Sequence, residues 1–166
     1  MKKLVLIAVV LAAGCLFGTN ATAQVKSRVG FFLAAASGDI DMVGLGGVGE
    51  FRAMDKLTIS PQLIFYFPEE RGNADVKFLE LNINANYYFF DQDIFEFYGL
   101  AGLNYSRVKV DFDGGGDNSE GEMGLNLGAG LNFEIGQKFI PFTELRITVG
   151  EFDQFVFKAG LKFNLH

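Results

Sequence analysis

Residues 122–136 alternate without a break. Met123, Leu125, Leu127, Ala129, Leu131, Phe133 and Ile135 are apolar, while Glu122, Gly124, Asn126, Gly128, Gly130, Asn132, Glu134 and Gly136 are polar or glycine. A period of two puts these sets on opposite faces of a strand; a helix would scatter the apolar set around its circumference. The end of the chain repeats the pattern. Phe155, Phe157, Ala159, Leu161, Phe163 and Leu165 share one phase against Lys158, Gly160, Lys162, Asn164 and His166, with Val156 as the apolar exception. Residues 79–89 and 57–67 do the same, although Pro61 is a misfit in the latter. Less regular strands are expected at 27–36, 44–54, 94–110 and 139–150, which makes eight.

Length separates two kinds of barrel. The strict runs hold 11 to 15 residues, against about 5–6 for strands of soluble sheets. At about 3.4 Å per residue and a tilt near 40°, 11 residues rise roughly 28 Å, which suits the ~25 Å apolar band of an outer-membrane barrel. After Gln24 the longest apolar run is Phe31 to Ala36, so no segment approaches the ~20 apolar residues of a transmembrane helix.

The first 23 residues read as an address. Lys2 and Lys3 precede an apolar stretch from Leu4 to Gly18, and Ala21-Thr22-Ala23 has the small-x-small form of a cleavage site. The expected organisation is a signal peptide over 1–23 and one barrel domain over 24–166. Ala13-Gly14-Cys15 offers a lipoprotein ending instead. Against it, Ala12 stands where such signals usually have Leu, and Leu16-Phe17 continue the apolar run. Removing Lys2 and Lys3 changes the formal net charge from −6 to −8. That balance argues against nucleic acid as a partner, which needs a basic patch.

Connections alternate in length. Asp55-Lys56, Asp91-Gln92-Asp93 and Gly136-Gln137-Lys138 are tight, whereas Ser37–Val43, Pro68–Asp75 and Asp111–Gly121 are longer. Residues near Glu151 to Gln154 form a short fourth connection on the longer side. Short periplasmic turns and long outer loops are the two rims of a bacterial barrel. The mature chain resembles the small eight-stranded outer-membrane barrels of the OmpA and OmpX kind. Lys158-x-Gly160-Leu161-x-Phe163-x-Leu165 is similar to the C-terminal signal that the barrel-assembly machinery recognises, except that this chain ends Leu165-His166 rather than on an aromatic residue. The resemblance implies an all-β, antiparallel up-and-down transmembrane barrel in the bacterial outer membrane, in contact with its lipid.

Such a barrel turns its apolar phase to lipid, with Tyr87, Phe89, Phe90, Phe95, Phe97 and Phe67 as part of an aromatic girdle. Glu50, Arg52, Glu80, Glu96, Glu134, Glu144, Arg146, Lys158 and Lys162 occupy the other phase. Eight strands enclose an interior about filled by side chains, and charges sealed there must pair. The expected network joins Arg146, Arg52 and Lys158 to Glu144, Glu80 and Glu50, with Gly124, Gly128 and Gly130 making room. Alternation sets the face but not the depth, so the alternative is that several of these charges stand in water at the rims.

Catalytic chemistry is poorly supplied. The one His is residue 166, which leaves no Ser-His-Asp arrangement, and the glycines lie along strands rather than in a phosphate loop, so no enzyme and no cofactor is expected. Asp111, Asp113, Asp117 and Glu122 approach calcium-loop spacing, but Gly115 and Asn118 interrupt it; a solvated acidic loop is the plainer reading. Acidic outer loops suit divalent-cation bridging to lipopolysaccharide, or an extracellular or periplasmic partner. Two alternatives stay open: a soluble lipocalin-like barrel binding a small apolar ligand, with its apolar phase inward, and a small selective channel.

Overall fold

A computed structural model describes residues 27–38, 41–70, 74–92, 94–112, 117–135, 138–151 and 153–165. Among these, eight long strands form one antiparallel sheet: β1 (Arg28–Gly38), β2 (Met42–Met54), β3 (Leu57–Tyr66), β4 (Ala74–Gln92), β5 (Phe95–Phe112), β6 (Asp117–Phe133), β7 (Ile140–Val149) and β8 (Gln154–Asn164). A two-residue bridge, Glu69–Glu70, carries the outer end of β3 along β4. Each strand pairs with its sequence neighbours and β1 pairs with β8. Closure leaves no open edge around the cylinder, the condition for strands to cross a bilayer.

The register fixes the shape of this cylinder. A path from Arg28 runs through its partner Glu50 and on through Ser60, Asn84, Gly102, Asn126, Thr148 and Gln154. It regains β1 at Gly38, ten residues from its start. A stagger of ten over eight strands, at about 4.8 Å between strands and about 3.4 Å per residue, tilts them by about 41° and gives a backbone radius of about 8 Å. Each residue then climbs about 2.6 Å along the axis. Pro61, which lacks a donor for a ladder bond, is tolerated because the β2–β3 ladder has no pair at Gly49 and Pro61.

The apolar phase faces outward. Leu125 is 59% exposed and its neighbour Asn126 is 1% exposed. Met123, Leu127, Phe155 and Phe157 are likewise exposed, whereas Lys158 and Lys162 are buried. This orientation overturns the lipocalin-like alternative. Val156, the exception in its run, points inward and is fully buried.

Three strands outrun the expected spans. β4 starts at Ala74, β5 continues to Phe112 and β6 begins at Asp117, so most of the two expected long loops is paired sheet. The physical reason is a reversal of phase. From Leu79 to Phe89, odd residues of β4 face outward and are apolar or aromatic, a span of about 26 Å along the axis. Beyond Leu79 alternation continues with the chemistry exchanged: Phe78 is buried and Lys77 is exposed, while on β5 Val108 packs against the interior and Arg107 is exposed. Above the lipid band the sheet obeys the rule of a soluble protein.

Candidate functional site

Among the described residues, buried polar groups converge in the lumen, beside an apolar cluster. The charged groups start at the inner mouth. At the mouth beside the short turns, Arg28 on β1 reaches Glu96 on β5 in a two-pronged contact of 2.5 and 2.7 Å, and Glu134 at 2.9 Å. β1 and β5 are four strands apart either way round, so this contact crosses the full width of the barrel. Just above, Lys162 donates to Glu50 at 2.8 Å and to Asn132 at 3.0 Å. Glu50 also accepts from Thr58 at 2.7 Å and from the Tyr88 hydroxyl.

Midway, Lys158 pairs with Glu144 and donates to Gln62 at 2.5 Å, and Tyr98 donates to Glu144 at 2.9 Å. Arg146 pairs with Glu80 at 2.5 Å, and Tyr66 donates to Glu80 at 3.1 Å. Beside this pair Asn126 donates to Asn82 at 2.8 Å and Asn84 at 2.9 Å, and accepts from Thr148 at 2.9 Å. Removing two charges from water costs several kcal/mol per ion, so a buried pair holds only with good geometry and further hydrogen bonds. Glu50, Glu80, Glu96 and Glu144 each have both.

Apolar side chains fill the lumen alongside these charges, from Phe142 near the inner mouth to Ala36, Met42, Tyr66 and Phe78 at the outer one. Phe32, Ala34, Ala36, Met42, Val48, Ile64, Tyr66, Phe78, Phe142 and Val156 form one buried cluster, with Val108 packed against it. Phe32 links the apolar and charged sets: it meets Phe142 edge-on at 6.1 Å and presents its ring to the Lys158 ammonium at 5.4 Å. A cation over a ring face is attracted by the ring quadrupole. Tyr98 and Phe142 do the same for Lys162, at 4.9 and 4.6 Å.

The structure brings together Glu144 with Lys158 and Glu80 with Arg146, and places Glu50 with Lys162. Arg52 lies elsewhere. It is exposed beyond the inner mouth and pairs with Asp55 three residues on. Its phase matches that of Glu50, but a register shift between Arg52 and Met54 marks the end of the cylinder, so depth removes it from the network. Arg28 was missed because Val29-Gly30-Phe31-Phe32-Leu33 is apolar or glycine in both phases and hides the face on which β1 carries its charge. Gly130 does make room: a Cβ there would stand 2.3 Å from the Tyr98 ring.

The described part of the acidic stretch is paired strand. Asp111 and Asp117 are register partners across β5 and β6, and Glu122 lies five residues down β6, opposite Ser106. Five strand residues span about 17 Å, which sets Glu122 apart from Asp117; Asp113 lies outside the described residues. On the lipid face, Tyr87, Phe89 and Phe97 stack in series at 5.2 and 5.9 Å, and Phe31, Phe163 and Phe139 continue the belt at 6.0 and 5.5 Å. Phe90 and Phe95 are exposed near the same rim, and Phe67 is exposed at the opposite one. In the C-terminal strand, Gly160 passes so close to β1 that a Cβ would lie 2.2 Å from the Phe31 carbonyl oxygen. Leu161 and Phe163 face outward, and the Leu165 amide donates to Ser27 at 2.8 Å.

A closed barrel with a greasy exterior and a paired interior defines an integral outer-membrane protein. Residues 13–163 match the outer membrane protein beta-barrel domain, and the chain belongs to that family, whose place is the bacterial outer membrane. Among solved structures it is similar to Neisserial surface protein A, with 18% identity and a TM-score of 0.66 over 88% of this chain and 100% of that one. The N-terminal barrel domain of Pseudomonas aeruginosa OprF gives 17% and 0.63 over 84% and 98%. Ail, the attachment invasion locus protein of Yersinia pestis, gives 17% and 0.58 over 83% and 97%. At these identities the likeness is one of fold. No curated protein sequence matches the chain.

Proposed function

We propose that this protein is a closed outer-membrane barrel with a structural and interaction role, not a catalyst or a general diffusion pore. The observation that carries the reading is the filling of the lumen by paired charges and apolar side chains. Arg28 crosses the inner mouth to Glu96, Lys158 and Arg146 span the middle, and Ala36, Met42, Tyr66 and Phe78 fill the outer end. An ion entering from either side meets packed side chains that it would have to displace. The interaction role falls to the outer ends of β4, β5 and β6, which rise beyond the neighbouring β7; β6 pairs with β7 only from Leu125 inward. This leaves the edge of residues 117–124 without a partner strand on that side among the described residues, a surface that suits a partner segment.

Two companions of this reading concern export and assembly. Residues 1–23, including Cys15, act as a signal removed after Ala23, and Gly160, Leu161, Phe163 and Leu165 serve as the handle for the assembly machinery. They orient the short turns to the periplasm and the long strands outward, towards lipopolysaccharide.

Planar-bilayer recording of the refolded protein tests the central claim. The expected trace has no stable open level of hundreds of picosiemens; such a level in most insertions overturns the closed lumen and favours a selective channel. Intact mass of the exported protein checks the companion claim, with Gln24 as the expected first residue and an acylated Cys15 as the refuting one.

A further inference from the structure

We propose that the outward face of β4 and β5 carries a binding site for the phosphate groups of an acylated, phosphorylated glycolipid of the outer leaflet, formed by Lys77, Arg107 and Lys109. The proposal rests on the outward orientation of the long strands given above.

The three residues occupy one patch because of register. Lys77 is paired with Lys109 and Leu79 with Arg107, and all four lie on the outward phase. Among the described residues they are the only basic side chains at the outer end of the barrel. Arg28, Arg146, Lys158 and Lys162 are committed to the lumen, and Arg52, Lys56 and Lys138 flank the short turns. By contrast Asp41, Glu151 and Asp153 stand on the same rim beside β2, β7 and β8. The outer cations among the described residues therefore lie on one side.

Depth supplies the second observation. Arg107 stands two residues beyond the exposed Tyr105, and Lys77 two beyond Leu79. At about 2.6 Å per residue, Arg107 and Lys77 sit about 5 Å above these lipid-facing side chains, and Lys109 about 5 Å further out. That is the level of headgroup phosphates rather than acyl chains or bulk water. The phase reversal described above makes the same boundary visible in the sequence.

The third observation is shape. A cleft of about 570 Å³ runs beneath and beside the cations, lined by Phe65, Pro68 and Leu79 as well as Lys77, Arg107 and Lys109. Its apolar floor continues into the lipid face through Leu81 and Leu103. A ligand that fits both parts has a phosphate at the top and a hydrocarbon chain below. Arg107 already leans across to β6, with its Nη2 3.5 Å from the Ser119 hydroxyl. A guanidinium can take phosphate oxygens in a two-pronged contact while the lysines add point charges. The register positions two residues further out hold Asp75 and Asp111. A soluble phosphate gains only the upper half of the site.

Native mass spectrometry of the refolded protein in detergent, titrated with bis-phosphorylated lipid A, tests this directly. The comparison is between the wild type, the triple variant K77Q/R107Q/K109Q and the inner-rim control K56Q/K138Q, each first shown to be a folded barrel by heat-modifiable gel mobility. The triple variant is expected to bind at least ten-fold more weakly, the control within two-fold of wild type, and a fully dephosphorylated lipid A as weakly as the triple variant. Lipid binding by the folded triple variant within two-fold of wild type overturns the proposal, as does an equal loss in the control. Displacement of the lipid by inorganic phosphate below millimolar concentration overturns the lipid assignment in favour of a free-anion site. Failure of the wild type to show a heat-modifiable barrel would instead strike the membrane reading itself.

Discussion

Replacing Glu144 by Gln isolates one buried charge with little change in shape. Glu144 is 1% exposed and Lys158 is fully buried beside it. Gln keeps an oxygen to accept the Tyr98 hydroxyl, but it leaves the ammonium with the Gln62 oxygen and the Phe32 ring as its remaining neighbours. Breaking a buried pair from one side costs about 3–5 kcal/mol, because the remaining ion is uncompensated. At about 1.4 kcal/mol per decade, the folding equilibrium constant should fall by about two to three and a half decades. Removing both charges in E144Q/K158M leaves no stranded ion, and such double replacements are often close to neutral. The double variant should therefore recover most of the loss and lie within about 2 kcal/mol of wild type. The assay is urea unfolding in lipid vesicles, with the folded fraction read from gel mobility without boiling. If E144Q costs less than about 1 kcal/mol, as expected for pairs in water, or if the double variant is as unstable as the two single losses together, then the lumen is hydrated and the argument from burial fails.

Two further substitutions test neighbouring parts of the account. Arg52→Ala should change stability by less than about 1 kcal/mol in the same assay, since its pair with Asp55 is exposed on both sides; a larger loss would return Arg52 to the lumen network. Gly130→Ala forces the Tyr98 ring away from a Cβ that would otherwise stand 2.3 Å from it and disturbs its bond to Glu144. A loss of about 1–3 kcal/mol is expected, while unchanged stability would mean that Tyr98 has another place to go.

What the sequence discloses depends on how chemistry is distributed between phases. In β6 and β8 leucines and phenylalanines alternate with glycines, asparagines and lysines, so face and membrane class can be read directly. In β1 both phases are apolar from Val29 to Leu33, and Arg28 is concealed. On β4 the strand extends past Leu79 towards Ala74 while apolar residues change sides, so a reader following one phase sees the pattern stop and infers a loop. Arg52 fails for a third reason: alternation carries no information about distance along the axis. The apolar cluster inside the barrel was unforeseen because Val156, Phe78 and Phe142 look like interruptions until the fold collects them from three strands.

The seam between the first and last strands bears on how the chain is completed. Arg28 and Lys162 sit on β1 and β8, yet the carboxylates they neutralise are Glu96 on β5, Glu134 just past β6 and Glu50 on β2. A sheet still gaping at that join would hold three acids whose counter-ions had not arrived. Zipping the two termini together thus finishes the hydrogen-bond ladder and settles the electrical balance of the mouth beside the short turns in a single event, which penalises any partly closed intermediate left in the bilayer.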